Sequence, residues 1–373
     1  MAIILSKKTE DVFTIVCLQR SPRTPRLGDT EAEYKMAKDE NLNAIIRMID
    51  RTLSESRVYA PGFDRRIRLV VCPESAITSY PFDGQDAKEW VNRGSIYVPG
   101  DETDKLGEKA KEYGVYIVCN SYERNDDWSD AYFNTSFIMD PNGKILSKYR
   151  RLHTGVCVSP DELFDDYIKK YGWDGLFPVA KTKIGTLAAL ACGEIDYPEI
   201  SRMFALQGAE ILCHCDGYGM ADVNLVAGNN PSFLAHPIHR RARAIENTCY
   251  VAMANHSLLG GGCEIIDYYG RILARTFFSG EQTISALVNM HSLRVRRATQ
   301  RGYLFGLRTH IFAKGYDKYE IWPPNQFLKK MPKNVITAKG ELYKKIFENC
   351  FKLGIIKREV AEAYGVPKET YKF

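Results

Sequence analysis

Short apolar runs with strand character recur along the chain, at Val12 to Leu18, Ile67 to Cys72, Val115 to Asn120, Phe133 to Asp140, Ile145 to Arg151, Ile184 to Cys192, Glu210 to His214 and Cys249 to Asn255. Continuous runs of this length fit buried strands. Between several of them the spacing of apolar residues changes. Leu42, Ile45, Ile46, Ile49 and Leu53 recur at three- and four-residue intervals, the period of an amphipathic helix, and Asp104 to Tyr113 and Phe233 to Asn247 are further helical stretches. Strands alternating with helices predict an α/β protein. Asp140-Pro141-Asn142-Gly143 and Tyr268-Tyr269-Gly270-Arg271 are turn sequences between strand-like runs, so two hairpins interrupt the alternation and the sheet is expected to be mixed. Beyond about Pro324 the pattern shifts to Lys-rich amphipathic segments, dividing the chain into a main domain, 1–325, and a helical extension, 326–373. Such an extension either packs on its own core or embraces a neighbouring subunit, and the second is the favoured expectation.

Composition narrows the class. Apolar residues make up 45% of the chain and charged residues 26%, which suits a soluble globular protein and excludes a disordered or fibrous one. No apolar run reaches bilayer length, and the opening MAIILSKKTED turns polar too soon for a secretory signal. A cytoplasmic protein without a membrane partner is expected. The net charge of +5 is small for 373 residues and is not gathered into a basic tract, so nucleic acid is not an expected partner; Arg240, Arg241 and Arg243 read as a helix face. The ten cysteines follow no repeating spacing, and Cys17, Cys72, Cys119 and Cys249 fall inside strand-like runs, the pattern of reduced buried thiols. Cys213-His214-Cys215-Asp216, His236 and His239 lack the paired ligand spacing of a structural zinc site, so no metal is expected.

Candidate chemistry gathers where strands end. The run from Leu187 to Ala191 stops at Cys192, and a polar segment leads to a helix beginning near Pro198 with Glu199 in its first turn. A thiol at such a turn lies near helix-terminal N–H groups, which favour the thiolate. Val70-Val71-Cys72-Pro73-Glu74 likewise delivers a carboxylate just past a strand, as a general base or as an ordinary acid near a helix cap. Lys148-Tyr149-Arg150-Arg151-Leu152-His153 supplies cations, either to protect a sheet edge or to face a developing negative charge. Cysteine, carboxylate and cation together make an acyl-transfer device: the carboxylate takes the thiol proton and returns it to a leaving amine, while the cation supports the oxyanion.

With Pro73-Glu74-Ser75, Tyr122-Glu123-Arg124, Phe133-Asn134-Thr135, Asp140 through Leu146, Lys148 through His153, Cys192 through Glu199 and Arg243 through Asn247 in this order, the chain resembles the nitrilase, or carbon–nitrogen hydrolase, superfamily. The resemblance implies a four-layer α-β-β-α sandwich with mixed sheets, cofactor-free hydrolysis of non-peptide C–N bonds through a covalent cysteine intermediate, and homodimers or higher homo-oligomers. It assigns the nucleophile to Cys192 and the general base to Glu74. The tract CGEIDYPEISR is similar to the aliphatic amidase and formamidase branch, with N-carbamoyl amidohydrolases the other related branch, so a small carboxamide or N-carbamoyl compound is the expected substrate. The chain departs from the family pattern at one place. Arg151 stands where the catalytic lysine is expected, and Lys148 holds the earlier basic position as a reserve. Residues three apart on a strand face opposite ways, so the two cations cannot both face Cys192 without a bulge. Glu162 is the nearest candidate for a further site glutamate, with Glu123 in a structural role nearby. Tyr132, Trp173, Tyr218 to Met220 and Phe305 are candidate pocket walls by composition. Two alternatives remain open: a nitrile hydrolase or hydratase with the same residues, and a catalytically silent homologue that binds a ligand or partner.

Overall fold

The computed structural model describes residues 11–26, 28–59, 66–81, 84–217, 232–257, 262–276, 279–299 and 303–359. Among the described residues there are twelve strands, eight of them from the eight apolar runs: β1 (Val12–Gln19), β2 (Ile67–Val71), β3 (Tyr116–Arg124), β4 (Tyr132–Met139), β5 (Ile145–Arg150), β6 (Ala180–Thr182), β7 (Gly185–Ala191), β8 (Ile211–Cys215), β9 (Tyr250–Ala254), β10 (Glu264–Ile266), β11 (Ile272–Arg275) and β12 (Gln282–Asn289). They form two six-stranded sheets, ordered β12-β1-β2-β3-β4-β5 and β11-β10-β9-β8-β7-β6. Each sheet is mixed. β1, β2 and β3 are parallel, as are β7, β8 and β9, and antiparallel strands flank both trios. Both turn sequences close hairpins as expected, β4 with β5 and β10 with β11. β12 is an edge strand that no apolar run announces: Ile284 and Val288 are buried, but exposed and partly buried residues separate them, so it carries no continuous apolar run.

The layering follows from which face each side chain takes. Phe13, Ile15, Cys17, Leu69 and Val71 of the first sheet meet Leu187, Ala189, Ile211, Cys213 and Ala252 of the second in one apolar cluster between the sheets. The alternate residues of the first sheet, including Val16, Val70, Ile117 and Phe137, pack on Leu42, Ile45 and Ile49 of helix Glu31–Tyr59 and on Leu106 and Ala110 of helix Asp101–Tyr113. Ala188, Leu190, Leu212 and Val251 of the second sheet pack on Ile200 and Phe204 of helix Pro198–Leu206 and Ala244 of helix Ser232–Asn247. The period of two along each strand thus serves two cores at once, giving a four-layer α-β-β-α sandwich.

The described part of the extension packs on its own chain, one of the two arrangements expected of it. Helix Val335–Lys352 is capped by Asn334, whose side chain accepts from the Thr337 N–H at 2.8 Å. Val335 joins Phe327, Trp90, Tyr122, Tyr132 and Phe133 in a fourth cluster at the end of the first sheet. Among the described residues no helix is long and apolar enough to cross a membrane.

Candidate active site

Glu74, Arg151 and Cys192 follow the carboxyl ends of β2, β5 and β7, the end of an α/β sheet where sites are assembled. The backbone there is unusual. Ser75, next to the carboxylate, has φ 50°, and Cys192 itself has φ 51°. A left-handed conformation costs a non-glycine residue energy, and such strain collects where a side chain must be aimed. At Cys192 the strand turns at once into a single 3₁₀ segment, Cys192–Asp196, before helix Pro198–Leu206 starts.

Glu74 is buried and densely held. Its Oε1 accepts from Asn134 Nδ2 at 2.8 Å and from Arg151 Nη1 at 2.8 Å, and its Oε2 accepts from the Tyr80 hydroxyl at 2.9 Å. Its carbonyl accepts from His256 Nε2 at 2.8 Å. Asn134 is fixed in turn by Asn120 Nδ2 at 2.6 Å, and Asn120 Oδ1 accepts from the Ser75 N–H at 2.8 Å. These bonds leave the carboxylate one orientation. Gly217, after β8, closes over it: a Cβ there would lie 2.0 Å from the Tyr80 oxygen and 2.7 Å from Glu74 Oε2.

Arg151 bridges the carboxylate and the nucleophile turn. Its Nη1 donates to Glu74, its Nη2 lies 3.9 Å from where a Gly193 Cβ would stand, and its Nε donates to the His153 carbonyl at 2.7 Å. Burial disfavours its charge, but Cys192 and Glu74 outweigh that and hold the guanidinium pKa above its ordinary value. Lys148 sits elsewhere. Its ammonium donates to Glu123 at 2.7 Å and to the Val98 carbonyl at 2.7 Å, alongside Arg150, which grips Glu123 through two bonds of 2.9 Å. Lys148 and Arg150 are two apart and share a face, so Arg151 points the other way, as strand periodicity requires. The reserve cation is therefore committed to the buried Glu123, which has the structural role expected of it.

The thiol departs from the sequence expectation. Burial first, then the Glu74 carboxylate, push the Cys192 pKa well above its ordinary value; Arg151 and the Gly193 N–H oppose this without overcoming it. The helix-terminal N–H groups that were expected to favour the thiolate are outweighed by desolvation. A buried neutral thiol beside a carboxylate suits proton transfer during attack.

Glu194 has a role that sequence reasoning missed. Its Oε1 accepts from the Tyr149 hydroxyl at 2.6 Å and from the N–H groups of Leu152 and His153 at 2.8 and 3.2 Å, and its Oε2 accepts from the Ala191 N–H at 3.2 Å. It ties the turn carrying Cys192 to the segment carrying Arg151. The available signal was an acidic residue two places after the thiol, directly before the apolar Ile195. His214 Nε2 donates to the Cys192 carbonyl at 2.8 Å, and burial lowers its pKa to about 4, which keeps the ring neutral. Asp196, at the end of the same turn, pairs with His239 Nδ1 at 2.6 Å and His236 Nε2 at 3.3 Å. Among the described residues, no group of three or more His, Cys, Asp or Glu side chains is arranged to hold a metal ion. All ten cysteines are unpaired and buried.

Glu162 does not join this cluster directly. It is buried, its Oε2 accepts from the Ser159 N–H at 3.0 Å, and it forms an ion pair with Lys339 of the C-terminal helix. Of the composition-based wall residues, Tyr132 is buried beneath the segment after Arg151 and donates to the Val156 carbonyl at 2.9 Å, whereas Trp173 and Phe305 are exposed. Tyr218 to Met220 lie outside the described residues. The Tyr122 hydroxyl is buried without a hydrogen-bond partner among the described residues.

A sequence profile of the carbon-nitrogen hydrolase family matches residues 19–298. The chain belongs to the carbon-nitrogen hydrolase family. It is similar to a formamidase of Bacillus thuringiensis (strain Al Hakam), with 35% identity over 175 residues that make up 46% of this chain and 47% of the relative. The chain thus spans about half the length of the curated relatives it matches. Its fold is similar to that of a carbon-nitrogen hydrolase from Helicobacter pylori, with a TM-score of 0.58 and 19% identity over 82% of this chain and 98% of the other. A variant of the amidase from Nesterenkonia sp., carrying the acetamide moiety of fluoroacetamide at its active-site cysteine, matches with a TM-score of 0.55 and 17% identity over 81% of this chain and 96% of that one. In this member of the carbon-nitrogen hydrolase family, Glu74, Arg151 and Cys192 all lie within the matched residues 19–298.

Proposed function

We propose that this member of the carbon-nitrogen hydrolase family cleaves a small carboxamide through a thioester on Cys192, or an N-carbamoyl compound through the corresponding S-carbamoyl adduct. The observation that carries the reading is the buried Glu74 carboxylate, held by Asn134, Arg151 and Tyr80 with Arg151 also reaching the Cys192 turn. The formamidase relatives and the cysteine adduct of the similar amidase support an amide over a nitrile. Cys192 Sγ attacks the substrate carbonyl carbon as its proton passes to Glu74. The resulting oxyanion is stabilised by Arg151 and the Gly193 N–H. Collapse breaks the C–N bond, Glu74 returns the proton to the departing amine, and a thioester remains. Glu74 then takes a proton from a water, which attacks the thioester carbonyl; the C–S bond breaks, the carboxylic acid leaves, and Glu74 returns the proton to the sulfur to restore the thiol. Intact-protein mass spectrometry with short amides and the matched nitriles tests this. An acyl adduct and ammonia release are expected from the wild type and neither from Cys192→Ala; sustained turnover by that variant would exclude the mechanism.

A silent homologue is the second reading, and Arg151 is the observation that favours it. Guanidinium holds its proton more firmly than ammonium and fills more space. If the cation's role is electrostatic, the wild type turns over and Arg151→Lys retains the reaction. An inactive wild type that gains hydrolysis on Arg151→Lys would establish the silent reading instead.

A further inference from the structure

The C-terminal helix reaches the segment that presents Arg151. Lys339, 1% exposed, forms an ion pair with Glu162, 0% exposed, and its ammonium also donates to Ser159 Oγ at 3.4 Å. Glu162 caps its own turn, accepting from the Ser159 N–H at 3.0 Å. From there the chain is tied back link by link. The Val158 N–H donates to the Tyr132 carbonyl at 3.1 Å, the Tyr132 hydroxyl to the Val156 carbonyl at 2.9 Å, and the Val156 N–H to Thr154 Oγ1 at 3.2 Å. His153, next to Thr154, offers its carbonyl to Arg151 Nε at 2.7 Å and stacks on Tyr197 with ring centres 3.8 Å apart.

The segment before the helix grips the same stretch. The Asn325 N–H donates to the Asp161 carbonyl at 2.8 Å, the Phe327 N–H to the Glu162 carbonyl at 3.0 Å, and the Asp165 N–H to Asn325 Oδ1 at 2.9 Å. A carboxylate and an ammonium this deeply buried lose hydration that their attraction only partly restores, so a buried pair is weak as a source of stability and strong as a determinant of geometry. Burial pushes the Glu162 carboxyl up to about 7 against the pull of Lys339, while Asp161 adds to the rise. Tyr343, one helical turn after Lys339, lies close enough to Arg151, Glu162 and Asp161 to feel the charge of each, and Lys339 lies over the Trp322 ring at 5.7 Å.

We propose that Lys339 is a positioning residue for the hydrolase site: through Glu162 it fixes the stretch 152–163 and so the placement of Arg151 against Glu74 and Cys192. The inference rests on the reading of those three residues as the catalytic set. The C-terminal extension is then part of the working enzyme rather than an appendage.

The test uses the full-length protein and a readout that needs no substrate: the pH profile of Cys192 alkylation by iodoacetamide, followed by peptide mass spectrometry. A misplaced Arg151 no longer offsets the burial of the thiol. Lys339→Met is expected to slow alkylation at neutral pH on the order of tenfold, the equivalent of about one unit in thiol pKa, and Lys339→Arg to restore most of it. On short amides, the same Lys339→Met variant should lose kcat with KM little changed. If Lys339→Met fails to fold, the double variant Lys339→Met with Glu162→Leu, which replaces the pair by apolar groups, is judged by the same profile. A folded Lys339 variant whose Cys192 profile matches the wild type overturns the proposal. Altered alkylation in a chain whose wild type hydrolyses neither amide nor nitrile would keep the positioning role and discard the hydrolase reading.

Discussion

At Cys192 the decisive quantity is the state of the thiol. Burial and Glu74 hold it protonated, so in the proposed mechanism attack depends on proton transfer as the new bond forms and not on a standing thiolate. That makes the orientation of Glu74 the feature most exposed to small changes, and Gly217 is where it can be tested. A methyl group there would lie 2.0 Å from the Tyr80 oxygen and 2.7 Å from Glu74 Oε2, closer than either atom allows. Gly217→Ala is expected to reduce amide turnover by roughly 10²-fold, the typical loss when a reacting group is displaced by about 1 Å. Thermal unfolding measured alongside separates this from collapse of the fold. A folded Gly217→Ala enzyme with unchanged turnover would show that Glu74 is not held as described.

Among elements, the β4–β5 hairpin and the residue after it carry three cations to two destinations. Lys148 and Arg150 meet on Glu123, while Arg151, one residue further, crosses to Glu74. Glu123 is fully enclosed, and although burial raises its pKa, Arg150 and Lys148 outweigh that and hold the carboxyl below its ordinary value. Removing one member of a buried charge cluster leaves the others uncompensated and costs about 3–5 kcal/mol. Glu123→Gln should lose stability of that order by urea unfolding. Because Arg151 lies on the opposite face, the folded fraction should keep its Cys192 alkylation rate. A loss of reactivity equal to that of an Arg151 variant would mean that the two faces are not independent.

For the whole molecule, the coupling of the C-terminal helix to the main sandwich carries a pH signature. Glu162 has a pKa raised to about 7 in the folded chain, against about 4.3 when unfolded. The native state therefore binds more protons between those values. This contribution to stability is complete below about pH 4 and is lost as pH rises through about 7. Glu162→Gln has no such proton, so between pH 5 and pH 8 the unfolding midpoint of the wild type should fall relative to that of the variant. Parallel midpoints across that interval would contradict the raised pKa.

Much of the fold and part of the site were legible along the chain. Eight apolar runs marked eight strands and two turn sequences marked two hairpins, because buried strands and tight turns are specified by neighbouring residues. Edge strand β12 was not legible, since it gains its place by pairing with β1, from Val12 opposite Asn289 to Gln19 opposite Gln282, and not by a run of its own. Glu74, Arg151 and Cys192 were identifiable as separate strand-end residues, and strand periodicity already set Lys148 and Arg151 on opposite faces. Only the tertiary structure decided that Arg151 reaches Glu74, that Lys148 is committed to Glu123, that Glu194 ties the Cys192 turn to the segment carrying Arg151 and that Lys339 meets Glu162 from 177 residues away. It also decided the thiol's state, for a pKa is set by burial and by charges from distant parts of the chain, and local sequence carries neither.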